Sequence, residues 1–179
     1  NRGNTRDSNG APHYGFNPII GDVVLTYTLD KFPGYKDSFP IRVFGEYMYN
    51  PAAPSEADNY AWMAGIGFGK AGKKGLWEIS YRYKWLGANS WWEELTDSDW
   101  GAFYQTGLPN DGFATSSNST GQGYGTGTNT RGHLFRAAWS PSDGFTLAAT
   151  YMLSAFINPF PAGSKSGTGR LQVDALWKF

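Results

Sequence analysis

The sequence predicts an all-β protein: an antiparallel transmembrane β-barrel, with about seven strands in this chain, that forms part of a larger barrel. Three observations predict this fold class. Short segments alternate between apolar and mixed side chains, aromatic residues concentrate at both ends of these segments, and the connections alternate in length. Glycine (24 residues) and aromatic residues (17% of the chain) are abundant, which favours strands joined by turns.

Composition limits the classes of function. The 179 residues suffice for one domain, and the formal net charge of zero gives no indication of a nucleic-acid partner. The absence of cysteine excludes disulfides and thiolate metal sites. No apolar run reaches the length of about 18 residues that a transmembrane helix needs. We therefore expect any membrane crossing to use strands.

Seven alternating segments have about the length of a tilted membrane-spanning strand, roughly ten residues. They cover residues 19–29, 40–50, 59–69, 76–86, 130–140, 144–155 and 167–179. Because successive side chains of a strand point to opposite faces, each segment has one apolar face and one mixed face. The last segment closes on Trp177 and Phe179, and this ending resembles the assembly signature of bacterial outer-membrane barrels.

The connections are alternately short and long, as in outer-membrane barrels. Residues 70–75 and 141–143 form short turns, whereas 51–58, 87–129 and 156–166 are longer, and 30–39 is longer than a turn requires. With the short turns on the periplasmic side, the longer connections lie outside. The sequence thus predicts an external loop segment at 1–18, and one barrel domain at 19–179 with a long outer loop at 87–129.

Aromatic residues on the apolar faces fall into two groups once the strands are oriented in this way. The group at the periplasmic end is Phe68, Trp77, Trp139, Phe145, Trp177 and Phe179. The group at the outer end is Tyr47, Tyr49, Tyr60, Trp62, Tyr83 and Trp85. Two aromatic girdles with small or aliphatic residues between them are typical of a barrel that spans a lipid bilayer. The sequence therefore predicts the bacterial outer membrane as the location.

The opposite faces of the seven segments carry charged residues of both signs. The predicted pore-lining set is Asp22, Arg42, Glu46, Glu78, Arg82, Lys84, Arg136, Arg170, Asp174 and Lys178. Charges in a dry core cost several kcal/mol per ion even when they are paired, so this set favours a water-filled lumen. Six basic and four acidic members predict a slight preference for anions at most. Glu78, Arg82 and Lys84 share one face of one strand and form either a selectivity ladder across the pore or a set of solvated lumen charges.

Strand parity suggests that the barrel needs further strands. Bacterial single-chain barrels have an even strand number, and an unpaired edge cannot face lipid. Seven segments are recognisable, while His13–Phe16 is too short for a strand and Trp100–Thr106 would break the alternation of loop lengths. We therefore expect the chain to be the C-terminal part of a larger barrel that begins inside an outer loop.

Several short motifs resemble a porin family that is widespread in Gram-negative bacteria outside the well-studied enteric group. The motifs are Gly21-Asp22-Val23-Val24, Gly45-Glu46-Tyr47, Asn50-Pro51, Gly67-Phe68-Gly69-Lys70, Trp77-Glu78, Tyr81-Arg82-Tyr83, Asp97-Ser98-Asp99-Trp100 and Thr130-Arg131-Gly132-His133. The resemblance runs from about Asn17 to the end. It implies an outer-membrane barrel with a diffusion pore, larger than this chain alone forms. The insert at 109–129 and Asp174 in the terminal strand depart from the family pattern.

The long outer loop begins with a segment rich in acids and aromatics. Its candidate constriction residues are Trp91, Trp92, Glu93, Glu94, Asp97, Asp99 and Trp100. This segment either packs on the barrel rim as an ordered external loop, or folds into the lumen and narrows it, or binds a ligand. In the last case the aromatics stack on sugars, or Asp97 and Asp99 bind calcium. His13 and His133 lack partners at ligand spacing, so no metal site, cofactor or catalytic group is predicted.

The sequence thus predicts a passive diffusion channel for small hydrophilic solutes or ions, without enzymatic activity. Its expected partners are the lipid bilayer with lipopolysaccharide-type lipids and the remaining strands of the same barrel, and a homo-oligomer such as a trimer fits this class. Two alternatives stay open. One is a closed barrel that serves as an anchor, an adhesin or a lipid-modifying enzyme, and the other is a soluble all-β carbohydrate-binding protein that uses Trp91, Trp92 and Trp100.

Overall fold

The computed structural model describes residues 3–5, 7, 11–96, 100, 127–159 and 167–178. Within these ranges the regular secondary structure consists of β-strands and two single-turn 3₁₀ helices, at Ser55–Ala57 and Glu93–Leu95. None of the helices found there is long and apolar enough to cross a membrane. The strands are β1 (Ile19–Leu29), β2 (Phe39–Tyr49), β3 (Tyr60–Gly69), β4 (Trp77–Leu86), β5 (Thr130–Ser142), β6 (Phe145–Phe156) and β7 (Gly167–Trp177).

All seven predicted segments form strands, and they lie in one antiparallel sheet in the order of the sequence. The predicted ends differ from the observed ends by at most two residues. The largest extension is in β5, which continues to Ser142 because a register shift between Trp139 and Ser142 keeps it paired with β6. In the described part of the chain, β1 and β7 each pair with one neighbour, so the sheet is open.

The register keeps the apolar side chains of all strands on one face, which we call the apolar face. Val43 pairs with Leu25 and Ile66, and this row continues across the sheet to Leu171. Large side chains on the apolar face are exposed, among them Val23, Leu25, Val43, Tyr47, Ile79, Phe135, Trp139, Leu147, Val173 and Trp177. This distribution is unusual, because folded proteins in water ordinarily bury their largest apolar surface.

Apart from Phe39 on the apolar face, the most buried strand residues other than glycine lie on the other side of the sheet, which we call the mixed face. These are Ala61, Ser80, Leu86, Thr130, Ala138, Ser140, Ala148, Met152, Ser154 and Phe156. On this face a cavity of about 410 Å³ is lined by Thr28 of β1, Pro40 of β2 and Lys178 just after β7. Since the first and the last strand contribute to one cavity, the sheet curls with the mixed face on its inside.

The connections alternate in length as predicted. The short-turn end of the sheet carries the connections at 30–38, 70–76 and 143–144, and the long-loop end carries those at 50–59, 87–129 and 157–166. The unexpectedly long connection at 30–38 folds into a compact cap. Phe32 stacks on Phe39 with the ring centroids 4.0 Å apart, and the Tyr35 hydroxyl both donates to Lys70 O and accepts from Lys70 N. The extra residues therefore cover the ends of β2–β4 with a buried aromatic cluster.

Candidate functional site

Nine of the ten predicted pore-lining residues lie in strands, and the register places all nine on the mixed face. Asp22 pairs with Glu46, and Arg136 pairs with Ser80, a neighbour of Glu78 on the same face. The tenth, Lys178, directly follows β7, and its backbone N–H donates to Gly144 O at 2.7 Å. The sequence alternation therefore brings these charges together on one surface, while their role in lining a pore stays a prediction.

An ionic triad lies on the mixed face towards the short-turn end of the sheet. One carboxylate oxygen of Glu78 is 2.7 Å from Arg136 Nη1, and the other is 3.4 Å from Arg42 Nη2. The Glu78 side chain is only 17% exposed, whereas about a third of each arginine side chain is exposed. A carboxylate between two guanidinium groups leaves the triad with one net positive charge. It joins strands β2, β4 and β5 across the sheet.

A row of glycines on β3 allows Arg42 of β2 to reach Glu78 of β4 across the strand between them. Gly65, Gly67 and Gly69 are the mixed-face residues of this part of β3; the first two pair with both β2 and β4, and Gly69 pairs with Glu78 of β4. Arg42 lies over Gly67 to reach Glu78, and the Phe44 ring lies over Gly65. The Arg82 guanidinium carbon is 5.5 Å from the centroid of that ring, a cation–π distance. Two side chains of β2 therefore reach β4 because β3 has no side chains between them.

Gly65→Ala is expected to destabilise the protein by about 1–3 kcal/mol, because overpacking forces neighbouring groups to move. A methyl group at this position would lie 2.5 Å from Phe44 Cζ and 2.6 Å from the Tyr81 carbonyl oxygen. Gly67→Ala is the matched control, since its methyl group would meet Arg42 Nη2 at an ordinary 3.5 Å. Denaturant unfolding of the two variants measures the difference. Equal stability of the two variants would contradict the role assigned to Gly65.

The start of the long loop covers the mixed face at the long-loop end. A cavity of about 280 Å³ has walls from the strands and from the loop. Its lining includes Glu46, Met63, Arg82 and Lys84 from the sheet and Trp91, Leu95 and Thr96 from the loop. Trp100 is almost fully buried, its indole N–H donates to Thr130 Oγ1 at 2.9 Å, and Lys84 Nζ lies 5.5 Å from its ring centroid. This part of the loop therefore shares a cavity with charged residues of the sheet.

The other predicted constriction residues have different surroundings. Glu93 is buried, and its carboxylate accepts a hydrogen bond from the Asn4 backbone N–H at 2.7 Å. Trp92 is exposed and packs its ring 5.8 Å from that of Phe16. Asp97, Asp99 and the side chain of Glu94 lie outside the described residues, and so does the calcium site predicted at Asp97 and Asp99. The buried Trp100 offers no free ring face for stacking on a sugar.

A network of buried asparagines anchors the long-loop end, and the sequence analysis missed it. Asn89 donates from its side chain to Ala57 O and Thr5 Oγ1, and its Oδ1 accepts from the Thr5 N–H. Asn4 donates to the carbonyl groups of Ala88 and Trp91. The side chains of Asn4, Asn50, Asn59, Asn89 and Asn129 are buried. Because these amides satisfy loop backbone groups that water cannot reach, they fix where the long loop leaves the sheet.

One signal in the sequence points to part of this network. Asn50, Asn59 and Asn129 each stand directly beside a strand end, where a side-chain amide can satisfy backbone groups that the sheet leaves free. No such signal connects Asn4 with Ala88 or Trp91, which are more than 80 positions away in the chain.

Among the residues that the structure describes, no group of His, Cys, Asp or Glu has an arrangement that could hold a metal ion. His133 instead shares a hydrogen bond of 2.9 Å between its Nδ1 and the Tyr81 hydroxyl. No family model matches the sequence, and no curated protein is significantly similar to it. The resemblance to a porin family therefore stays a prediction from the motifs.

Proposed function

We propose that the chain forms the membrane-spanning, pore-lining strands of a bacterial outer-membrane porin, a passive diffusion channel for small hydrophilic solutes or ions. The observation that carries the proposal is the distribution of side chains over the two faces of the sheet, which is the reverse of that in a water-soluble protein. Its apolar face is exposed across all seven strands, while the face with charges of both signs lies on the inside of the curl.

Hydrophobic energetics supports a bilayer as the environment of the apolar face. Burying one large aliphatic or aromatic side chain is worth about 1.5–3 kcal/mol. Val43, Ile79, Leu147 and Val173 are exposed on four different strands, and Trp139 and Trp177 are exposed closer to the short-turn end. A monomeric protein in water rarely exposes a contiguous apolar surface of this extent. In lipid the same surface is solvated favourably.

The free edges of the sheet support closure into a barrel. The backbone N–H and C=O groups along the outer sides of β1 and β7 have no sheet partner within the described residues. Such groups cost several kcal/mol each in hydrocarbon, so spanning sheets are closed. The sheet already curls with the mixed face inside. We therefore propose that further strands pair with β1 and β7 and complete a barrel of more than seven strands.

The mixed face supports a wet interior. It carries the ionic triad of Glu78 together with Arg82 and Lys84, and the start of the long loop shares a cavity with the last two. In a wide barrel, this loop would narrow the lumen at the long-loop end. Charges of both signs beside a constriction select solutes by size and by charge.

The experiment that tests this proposal is single-channel recording with the full-length natural protein in planar lipid bilayers. We expect stepwise increases in conductance, and a folded form that migrates faster on gels before heating than after. Boiled protein is the control and should give neither result. Folded protein that remains heat-modifiable but leaves the bilayer sealed would overturn the channel.

One observation favours the second candidate, a closed barrel that acts as an anchor or adhesin. The triad pairs charges across three strands, as a packed interior requires. A closed barrel would insert into bilayers and stay heat-modifiable without conducting. The recording described above therefore separates the two candidates directly.

A further inference from the structure

Arg131 is the only Asp, Glu, Lys or Arg residue on the apolar face of the described strands. It pairs in register with Trp85 and Ala155, which are both apolar-face residues. Its guanidinium carbon lies 5.4 Å from the centroid of the Trp85 ring, its side chain is exposed, and no carboxylate within the described ranges forms an ion pair with it. A cation on a surface that otherwise suits lipid requires an explanation.

The depth of Arg131 in the bilayer partly explains why a cation is tolerated on the apolar face. Arginine on the lipid face of a barrel costs about 2–4 kcal/mol at the midplane and about 0–1 kcal/mol near an interface. Arg131 is the second residue of β5, at the long-loop end of the sheet. If the proposed function holds, this position lies at the level of the lipid headgroups, where an anionic group is within reach of the guanidinium.

A groove adjoins Arg131 on the apolar face. It has a volume of about 360 Å³ and runs over β5, β6 and β7. Its walls include Tyr83, His133, Tyr151 and Leu153, and its floor includes Gly167 and Gly169 of β7. The two glycines supply no side chains where the neighbouring strands carry large ones, so a concave apolar surface remains beside the cation.

His133 adds a second hydrogen-bond donor to the groove. It is two residues after Arg131 in the same strand and therefore lies on the same face. Its Nδ1 lies 2.9 Å from the Tyr81 hydroxyl. When this hydroxyl donates to Nδ1, the neutral imidazole carries its proton on Nε2, where it is a donor to an acceptor oxygen. Guanidinium and imidazole N–H groups together match the oxygens of a phosphate.

We infer that this groove binds an anionic membrane lipid with a phosphate-bearing headgroup: Arg131 and His133 hold the phosphate, and the surface of Tyr151, Leu153 and Gly169 holds an acyl chain. The inference rests on the proposed function, because it needs the apolar face to lie in a bilayer. It goes beyond it by assigning a specific lipid site at the rim. The occupant is an embedded lipid and not free phosphate, because the groove is mainly apolar next to the cation.

Native mass spectrometry of the full-length protein in detergent tests the site. The probes are phosphatidylglycerol and phosphatidylcholine with identical acyl chains, and inorganic phosphate serves as a competitor. We expect the protein to bind the first phosphatidylglycerol about tenfold more tightly than phosphatidylcholine, because both lipids carry the phosphate but only phosphatidylcholine carries a choline cation, which Arg131 repels. Millimolar inorganic phosphate should not displace the lipid, and displacement by it would overturn the assignment to a lipid.

Four variants separate the roles of charge and shape. Arg131→Gln should abolish the preference for phosphatidylglycerol, and Arg131→Lys should retain part of it. Gly167→Leu should weaken binding of both lipids by filling the groove, because nothing lies within 4 Å of a Cβ at this glycine. Lys31→Gln removes an exposed cation at the short-turn end and should change nothing. An unchanged headgroup preference in Arg131→Gln would overturn the inference.

Conductance measured on the same preparations keeps the two proposals distinguishable. A channel that conducts normally but shows no Arg131-dependent lipid preference overturns the lipid site alone. A protein that shows this preference but leaves bilayers sealed overturns the channel alone. A protein that stays folded and monomeric without detergent overturns both.

Discussion

Glu78→Gln is expected to raise the anion preference of the channel and to destabilise the protein by about 1–3 kcal/mol. The substitution keeps the shape of the side chain but removes the charge that lies between Arg136 and Arg42, at 2.7 and 3.4 Å. The two guanidinium groups then repel each other across a small distance. This loss is smaller than the cost of breaking a fully buried pair, because both arginine side chains are about one-third exposed to solvent, which screens the interaction.

Two measurements check this prediction: the reversal potential in a salt gradient and the midpoint of denaturant unfolding. Glu46→Gln is the matched control, because it removes the same charge from the same face, and Glu46 has no ion pair among the described residues. We expect Glu46→Gln to change stability by a few tenths of a kcal/mol at most, as for other surface substitutions. Equal destabilisation by the two substitutions would contradict a structural role for the triad.

Gly132→Ala is expected to have the largest effect on folding, a loss of about 3 kcal/mol or more. Gly132 has a φ of 155°, and a methyl group here would collide with the Leu153 carbonyl oxygen on the neighbouring strand. The backbone of residue 132 fixes the position of the methyl group, and the Leu153 carbonyl is itself backbone, so neither group can move without breaking the pairing of β5 with β6. We therefore expect register loss between these strands and poor assembly in the membrane.

The yield of heat-modifiable protein after refolding, followed by guanidinium unfolding, measures this effect. Gly21→Ala in β1 is the control, because nothing lies within 4 Å of its methyl group. If Gly132→Ala refolds as well as Gly21→Ala, then β5 and β6 do not depend on this close approach.

Strand positions were predictable because alternation is a local signal. All seven segments and the sharing of one face by Glu78, Arg82 and Lys84 follow from a period of two, which needs no knowledge of the neighbouring strands. The partners of Glu78 were not predictable in the same way. Arg82 is four residues from Glu78 along β4, too far for an ion pair, whereas Arg136 lies diagonally across on β5 and Arg42 reaches over the glycines of β3, so Glu78 pairs with residues of other strands.

The hydrogen bonds that hold the loops were not predictable for a different reason. The contacts of Asn4 with Ala88 and Trp91, and of Asn89 with Thr5, join a side chain to groups at least 84 positions away. Such hydrogen bonds are specified by the positions of loop backbone groups in space, and they leave no periodic pattern in the sequence. The cap at 30–38 likewise depends on aromatic packing between Phe32 and Phe39, which the length of the connection alone did not reveal.

The most direct test of the account is the solvent accessibility of successive residues along β2. The 179-residue chain contains no cysteine, so a single introduced cysteine is the only thiol that it contributes for spin labelling. We would label Val43 to Met48 one at a time in the full-length protein in lipid bilayers and measure collisions with oxygen and with a water-soluble nickel chelate. If the apolar face lies in lipid and the mixed face in water, collisions with oxygen are maximal at Val43, Gly45 and Tyr47, and collisions with the nickel chelate are maximal at Phe44, Glu46 and Met48. Uniform access of the nickel chelate to both faces would contradict the account.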